Sequence, residues 1–519
     1  MSLTAWAILG AGCDAQTSNP RDAAAAGGAP PAVAAPPGPL QVGGGVSDPD
    51  ARLFYQRRGG KSAWTPAQAK ALTNSFADAR RHGLNPAAFA VKRTSGDDPD
   101  QQDLALTLAA FRYARALAFG FVDPRRIEKV FTLEPNRIDL AAGLEQALAK
   151  ADVPRWLTSL PPSDSEYQAL SAAYLAAADV AAFIKDPVAR CQTPAEPSAP
   201  VPATPAQSPP PEAAPSQSPS PPAQPEQSVS PAQSAPAQGA APSQEATVQS
   251  PIPNAAPEQA ASAPAPPNTA GLSRGYRARQ LAANLERRRW LNRSPAATRI
   301  DVNTASCTVV YLRSGTDPWA ARMVCGKIGH ETPSIQGSFH RLVANPPWRV
   351  PMDIARREIF TKGRGYMRRE QMHVVNGRVV QRPGPHNSLG SVKFDVDDPY
   401  EIYLHDTPSK SLFALPERHK SHGCVRVQNA VGLARLIAQQ NGRLDAFNKA
   451  LASGKTGSVD IGEAIPVRLL YHTAFADEAG QITFAPDTYG WNDKLATALG
   501  LGPAQAAAHR DEPDVDVGP

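Results

Sequence analysis

The segment HKSHGCVRVQNA, residues 419 to 430, sets one cysteine, Cys424, between a His-Gly pair and a Val-Arg pair. A thiol so placed has three chemistries open to it: metal ligation, disulfide formation and nucleophilic attack. Attack needs a base to take the thiol proton and donors to hold the oxyanion that forms next. Gly423 lets the backbone turn tightly where strand-like sequence passes into a helix, so the amides of His422, Gly423 and Cys424 can converge on one oxygen. Of the ten histidines, His405 ends the strand-like run YLHDTP and is followed by Asp406 and the turn-forming Thr407-Pro408. It lies nineteen residues before Cys424, room for one excursion back to a neighbouring strand. His422 shares a face with Cys424 within its own strand. Both imidazoles reach the sulfur on this reasoning, and spacing alone does not rank them. A lone cysteine in a β domain is more often a small buried hydrophobe, and a lone strand histidine a satisfied structural group. A His-Gly-Cys-x-Arg string with a second histidine at an upstream strand end tips the balance toward catalysis without naming a substrate.

The remaining cysteines are Cys13, Cys191, Cys307 and Cys325. No CxxC pair occurs, which argues against a structural zinc site; no metal and no cofactor are expected. Cys307 and Cys325 flank two β-branched runs joined by Ser314-Gly315-Thr316-Asp317, and a hairpin centred near residue 316 makes them face each other. A cross-strand disulfide and two reduced buried thiols both remain open. The N-terminal stretch MSLTAWAILGAGCDAQ places an apolar run, Leu3 to Gly12, before Cys13 in the manner of an export leader ending at a lipid-acceptor cysteine. No basic residue precedes that run, and Leu9 sits one position too far from Cys13 for the usual lipoprotein box, so a plain leader is an equal reading. No run of 18 apolar residues occurs elsewhere, so no spanning helix is expected.

The elements that must position these residues fall into two blocks. The 54 prolines are concentrated, above all in residues 191–270, nearly all Pro, Ala, Ser and Gln. Such a stretch buries too little apolar surface to offset its ordering entropy, and a disordered spacer is expected there. Residues 1–50 read as leader and linker, and 504–519 as a disordered tail. Residues 51–190 show apolar positions at three- and four-residue spacing, with a capping box at Thr65-Pro66-Ala67-Gln68 opening a helix that runs to His82-Gly83. That predicts an all-α scaffold domain without a paired titratable group. A lead-in helix is expected at 271–295. The period then changes from 3.6 to 2 in IDVNTASCTVVYLR, AARMVCGKI, SFHRLVANP, MHVVNGRVVQ, SVKFDV and YEIYLHDT, which predicts a mostly β domain over 296–475. A C-terminal extension to it follows at 476–503, and the helix NAVGLARLIAQQNG follows the cysteine motif. The fold class is therefore α+β multidomain. The net charge of +5 is not gathered into a nucleic-acid-binding run. The clusters RRGGK, LERRRWL and GRGYMRREQ read first as solvated surface, and second as attraction to a carboxylate-rich polymer.

The strings SHGCVRV and IYLHDTP resemble the active-site signature of the L,D-transpeptidases of the YkuD fold. The runs MVCGKIGHETPSIQGSFHRLVANPPWRVP and RPGPHNSLGSVKFDV resemble the strands before that family's catalytic histidine. LAANLERRRWL, FYQRRGGKSAWT and HGLNP resemble the lead-in helix and N-terminal scaffold of its large YcbB-like subgroup. That subgroup usually carries a small peptidoglycan-binding module where this chain has its Pro-rich stretch.

The resemblance implies Cys424 as nucleophile and His405 as general base, with His422 and Gly423 shaping the oxyanion site. Arg426 would hold the pocket or a substrate carboxylate, Asp406 would lie beside the base, and Tyr403, Asn387, Ser388 and Trp348 would wall the pocket. It further implies that the thiolate attacks the third, diaminopimelate-type residue of a peptidoglycan stem tetrapeptide, expels D-alanine, and passes the acyl group to an amine to give a 3→3 cross-link. Donor and acceptor stem peptides are the implied partners; an outer-membrane protein or lipoprotein is the alternative acceptor, and nucleic acid is not expected. The implied location is the periplasm or cell envelope; lipid anchoring through Cys13 and a plain leader both stay open. Carbapenem acylation of the thiol follows from the same chemistry. A non-catalytic wall-binding scaffold is the competing class.

Overall fold

The computed structural model describes residues 46–91, 98–177, 274–477 and 480–502. Cys13, Cys191, the 191–270 stretch and the 504–519 tail lie outside the described residues. Asp48 caps the helix Pro49–Arg57 through the amide of Ala51. The expected capping box opens the next helix: Thr65 Oγ1 accepts from Gln68 N while the Gln68 side chain answers at Thr65 N. The α-helix ends at Ser75, and the last turns tighten into a 3-10 helix, Phe76–His82. Gly83 closes it at φ 68°, where an added Cβ would lie 3.0 Å from Ala282. Helices Pro99–Phe119, Leu140–Ala149, Val153–Thr158 and Ser165–Ala177 complete the scaffold.

The helix Arg274–Trp290 packs into this scaffold core, burying Ala278, Leu281, Ala282 and Leu285 beside Phe54, Phe111, Leu144 and Leu170. Its arginines correct the reading of LERRRWL as solvated surface. Arg289 and Glu286 are both fully buried and paired, and Arg289 donates to the carbonyl of His82 (2.7 Å) and to the Tyr167 hydroxyl (2.9 Å). Glu286 Oε1 in turn accepts from the amides of Phe121 and Val122. Buried charge persists only when it is compensated in this way. The C-terminal helix Trp491–Ala498 contributes Trp491 and Leu495 to the same core. The lead-in helix and the C-terminal extension thus dock on the scaffold as well as bordering the β domain.

The β domain is built on twelve strands: β1 (Arg299–Asn303), β2 (Thr308–Leu312), β3 (Trp319–Gly326), β4 (Gln336–Ala344), β5 (Trp348–Arg349), β6 (Met372–Val375), β7 (Arg378–Gln381), β8 (Val392–Phe394), β9 (Leu404–His405), β10 (His419–Ser421), β11 (Val425–Val427) and β12 (Gly457–Leu470). Nine of them run in the order β10-β3-β11-β9-β8-β4-β12-β1-β2, and β2 also pairs with β3, which closes the sheet on itself. Ile300, Val309, Phe339, Phe394, Val425 and Val467 fill its interior, and the helix Ala430–Gln440 packs against it through Leu433 and Ile437. The β2–β3 hairpin pairs Thr308 with Arg322, which centres it on Gly315 rather than residue 316. Cys307 absorbs the difference at φ 51° and forms a disulfide with Cys325 across a Cα–Cα distance of 6.2 Å. Between β5 and β8 an insertion forms a lobe with its own core of Trp348, Ile354, Ile359, Met372 and Val379. It comprises the helical segment Met352–Arg369, kinked at Gly363 (φ 77°), and the three-stranded sheet β5-β7-β6. No helix among the described residues is long and apolar enough to cross a membrane.

Candidate active site

Strands β9 and β11 run parallel with Leu404 opposite Val425 and His405 opposite Arg426. Leu404, Val425 and Val427 point into the sheet interior. Because strand side chains alternate, Tyr403, His405, Cys424 and Arg426 share the opposite face. His405 is fully buried. Its Nδ1 donates to the carbonyl of Asp406 at 2.5 Å, which fixes the tautomer and leaves Nε2 as the lone-pair nitrogen. That buried Nε2 has no hydrogen-bond partner. Cys424 carries a free thiol, 9% exposed, whose Sγ lies 3.7 Å from the carbonyl oxygen of Glu401.

Burial pushes the Cys424 thiol up to about 11, against the lowering pull of its hydrogen bonds with Tyr403 and of the Arg426 charge. Burial, reinforced by Arg426, pulls His405 down to about 3. Both groups are therefore neutral at rest, so no thiolate–imidazolium pair is preformed. The sign follows directly: below a thiol pKa near 11 the thiolate fraction climbs about tenfold per pH unit, while the imidazole stays neutral above pH 3. Alkylation of Cys424 by iodoacetamide, read by mass spectrometry, is expected to accelerate continuously from about pH 7 to about pH 10. A rate plateau near neutrality would mean a preformed ion pair.

The turn before the cysteine is held from several sides. The Gly423 amide donates to Ser421 Oγ (3.2 Å), its carbonyl accepts from Thr332 Oγ1 (2.8 Å), and Ser421 Oγ donates to the Cys424 carbonyl (2.6 Å). The Gly423 amide is thus engaged within the turn, which differs from the expectation that it joins its neighbours on one oxygen. Gly423 sits at φ 114°, and an added Cβ would lie 3.3 Å from Ile402 Cδ1. A non-glycine residue there stores roughly 1–3 kcal/mol of strain. Gly423→Ala is expected to lower unfolding free energy by about that amount in denaturant titrations.

A cavity of about 780 Å³ opens beside this face, walled by Tyr403 and Glu401 and by the cations Arg349, Arg356, Arg378 and Lys393. None of those cations was singled out from sequence. The period-2 rule offered the signal at β5, where Trp348 is buried in the lobe core and its neighbour Arg349 is exposed. Trp348 backs Tyr403 from inside the lobe rather than lining the cavity. The Asp406 carboxylate accepts from the Ser391 amide (2.9 Å) and pairs with Lys410, while its carbonyl orients His405. Asn387 and Ser388 shape the loop into β8. Asn387 Nδ2 donates to the Arg382 carbonyl (2.8 Å), Asn387 Oδ1 accepts from Leu389 N (2.8 Å), and Ser388 N donates to Gln381 Oε1 (2.9 Å). Arg426 is fully buried beneath the site. His422 turns toward the lobe: its Nε2 meets Glu358 Oε1 at 2.5 Å, and its ring packs edge-on against His330.

Comparison with known proteins follows the same division of the chain into a helical and a β part. Residues 49–173 match the model of a scaffold domain, and residues 297–449 match that of the L,D-transpeptidase catalytic domain, YkuD. A Haemophilus influenzae protein whose name assigns it to the L,D-transpeptidases is 30% identical over 224 residues, 38% of this chain and 45% of that protein. The chain thus matches a little under half the length of that relative. A solved structure described as the Ldtfm-avibactam carbamoyl enzyme is 14% identical and covers 34% of this chain and 49% of that one, with a TM-score of 0.19, too low to carry an argument. A closed β domain with a histidine and a free cysteine on one strand face, behind a helical scaffold, thereby acquires its identity: residues 297–449 are an L,D-transpeptidase catalytic domain of the YkuD type.

Proposed function

We propose that the chain is a peptidoglycan L,D-transpeptidase with Cys424 as nucleophile and His405 as general base. The observation that carries this reading is the unpartnered Nε2 of a fully buried, tautomer-locked His405 on the same strand face as the free Cys424. In the first half-reaction Nε2 takes the thiol proton and Sγ attacks the carbonyl carbon of the third stem residue. The tetrahedral adduct collapses, the C–N bond to D-alanine breaks, and the imidazolium returns its proton to the departing amine. In the second half-reaction an acceptor amine attacks the thioester, gives its proton to His405, and releases the thiol as it forms the new amide. No redox or metal step is needed to balance these bonds. The four cations around the cavity suit stem-peptide carboxylates, and Asp398 and Glu401 on the same wall suit an incoming ammonium group. The same substrate assigns the site of work to the cell envelope.

Incubation of the full chain with disaccharide tetrapeptides tests the reading. Mass spectrometry is expected to show free D-alanine and dimers joined between two third residues. Tripeptide alone would mean hydrolysis in place of transfer, and no product from folded protein would favour the non-catalytic scaffold.

A further inference from the structure

Away from the cavity, Cys307, Cys325 and His419 converge where β3 meets β10, in the parallel pairing His419–Cys325. A fourth donor completes the group: the carbonyl oxygen of Thr304, 3.6 Å from Cys307 Sγ, 3.3 Å from Cys325 Sγ and 2.8 Å from His419 Nε2. Cys307 Sγ also lies 3.6 Å from His419 Nε2. All four residues are buried. A tetrahedral zinc ion with Zn–S of about 2.3 Å and Zn–N or Zn–O of about 2.0–2.1 Å has S···N and S···O edges near 3.5 Å. Three of the four measured edges are close to that value. On its outer side His419 Nδ1 pairs with Glu417, the carboxylate–histidine arrangement that orients a ligating imidazole, and it leaves Nε2, now bonded to the Thr304 carbonyl, turned toward the cluster. Tyr489 packs edge-on against the His419 ring at 5.2 Å and shields it from water.

We propose that this cluster is a redox-gated site for a thiophilic divalent cation of the zinc class: closed while Cys307 and Cys325 are joined, open when a dithiol has reduced them. In the opening step two thiol–disulfide exchanges break the Cys307–Cys325 bond, leave two thiols, and convert the dithiol to its own disulfide. The cation then displaces both thiol protons and the proton that Nε2 shares with Thr304, and it binds two thiolates, one imidazole and one carbonyl oxygen. The absence of a CxxC spacing does not bear on this site, because its donors come from the turn between β1 and β2, which carries Thr304 and Cys307, from Cys325 on β3 and from His419 on β10, paired beside it. In either state the cluster pins β10 to β3 just ahead of the turn that carries Cys424. The inference is independent of the proposed function.

The test uses the full chain, reduced with a dithiol that is then removed without oxygen, and titrated with Co²⁺ as a spectroscopic probe. One equivalent is expected to bind with a thiolate-to-cobalt charge-transfer band and intense tetrahedral visible bands, displaced by Zn²⁺, and oxidised protein is expected to show neither. Cys307→Ser and His419→Gln should each weaken Co²⁺ binding at least tenfold with thermal unfolding still cooperative, and Cys424→Ser should leave the spectrum intact. Four outcomes would overturn the proposal: no charge-transfer band in reduced protein, the same band in oxidised protein, a band carried by Cys424 instead of Cys307, or loss of far-UV dichroism on reduction.

Discussion

Cys424→Ala is expected to abolish both turnover of stem tetrapeptides and the mass gain that a carbapenem leaves on the protein. The covalent carrier is the one part of the proposed reaction that no neighbour can replace. Removing a nucleophile that acts together with its base costs about four to six orders of magnitude in kcat, and the residual rate reflects binding and polar preorganisation alone. The fold should tolerate the change. The thiol side chain is small, 9% exposed, and its Sγ contact is a long one to the Glu401 carbonyl at 3.7 Å, so unfolding midpoints should move little. Mass spectrometry of protein mixed with a carbapenem separates the readings. An adduct that persists in Cys424→Ala would assign the nucleophile elsewhere and end the case for this thiol.

His405→Ala is expected to lower turnover by about two to four orders of magnitude, the usual contribution of a positioned general base. His422→Ala should cost about tenfold, since its Nε2 is committed to Glu358 across the lobe contact. The two losses also differ in pH dependence. Without His405, thiolate must come from direct ionisation of a group raised to about 11, so the residual rate should climb with pH through the alkaline range, whereas the wild-type rate should stay nearly flat near neutrality. His422→Ala should keep the flat profile. Equal losses with equal profiles, measured by steady-state kinetics on the two purified variants, would remove the ranking of the two histidines.

Much of the fold was legible because local signals agreed with each other. The Thr65–Gln68 capping box and the change of period after residue 296 rest on short-range chemistry, and the structure contains both. The juxtaposition of His405 and Cys424 on one face was also within reach, since it follows from a strand end, one excursion and a parallel return. What the sequence concealed depends on long-range packing. The arginines of LERRRWL look like surface until Glu286 and the His82 carbonyl are seen around Arg289. The segment Met352–Arg369 reads as a basic cluster, and MHVVNGRVVQ as one more strand run of the main β domain, until the core of the lobe they build is assembled. Arg349, Arg356, Arg378 and Lys393 come to one cavity from separate elements, and no spacing rule joins them. Trp348 turns into the lobe core while its neighbour Arg349 lines the cavity, because one position along a strand exchanges the two faces.

The helices Ser165–Ala177 and Arg274–Trp290, far apart in sequence, lie against each other in one core. The aim of the catalytic part upon the scaffold is thus carried by packed side chains, and a substitution that loosens this shared core would loosen that aim as well.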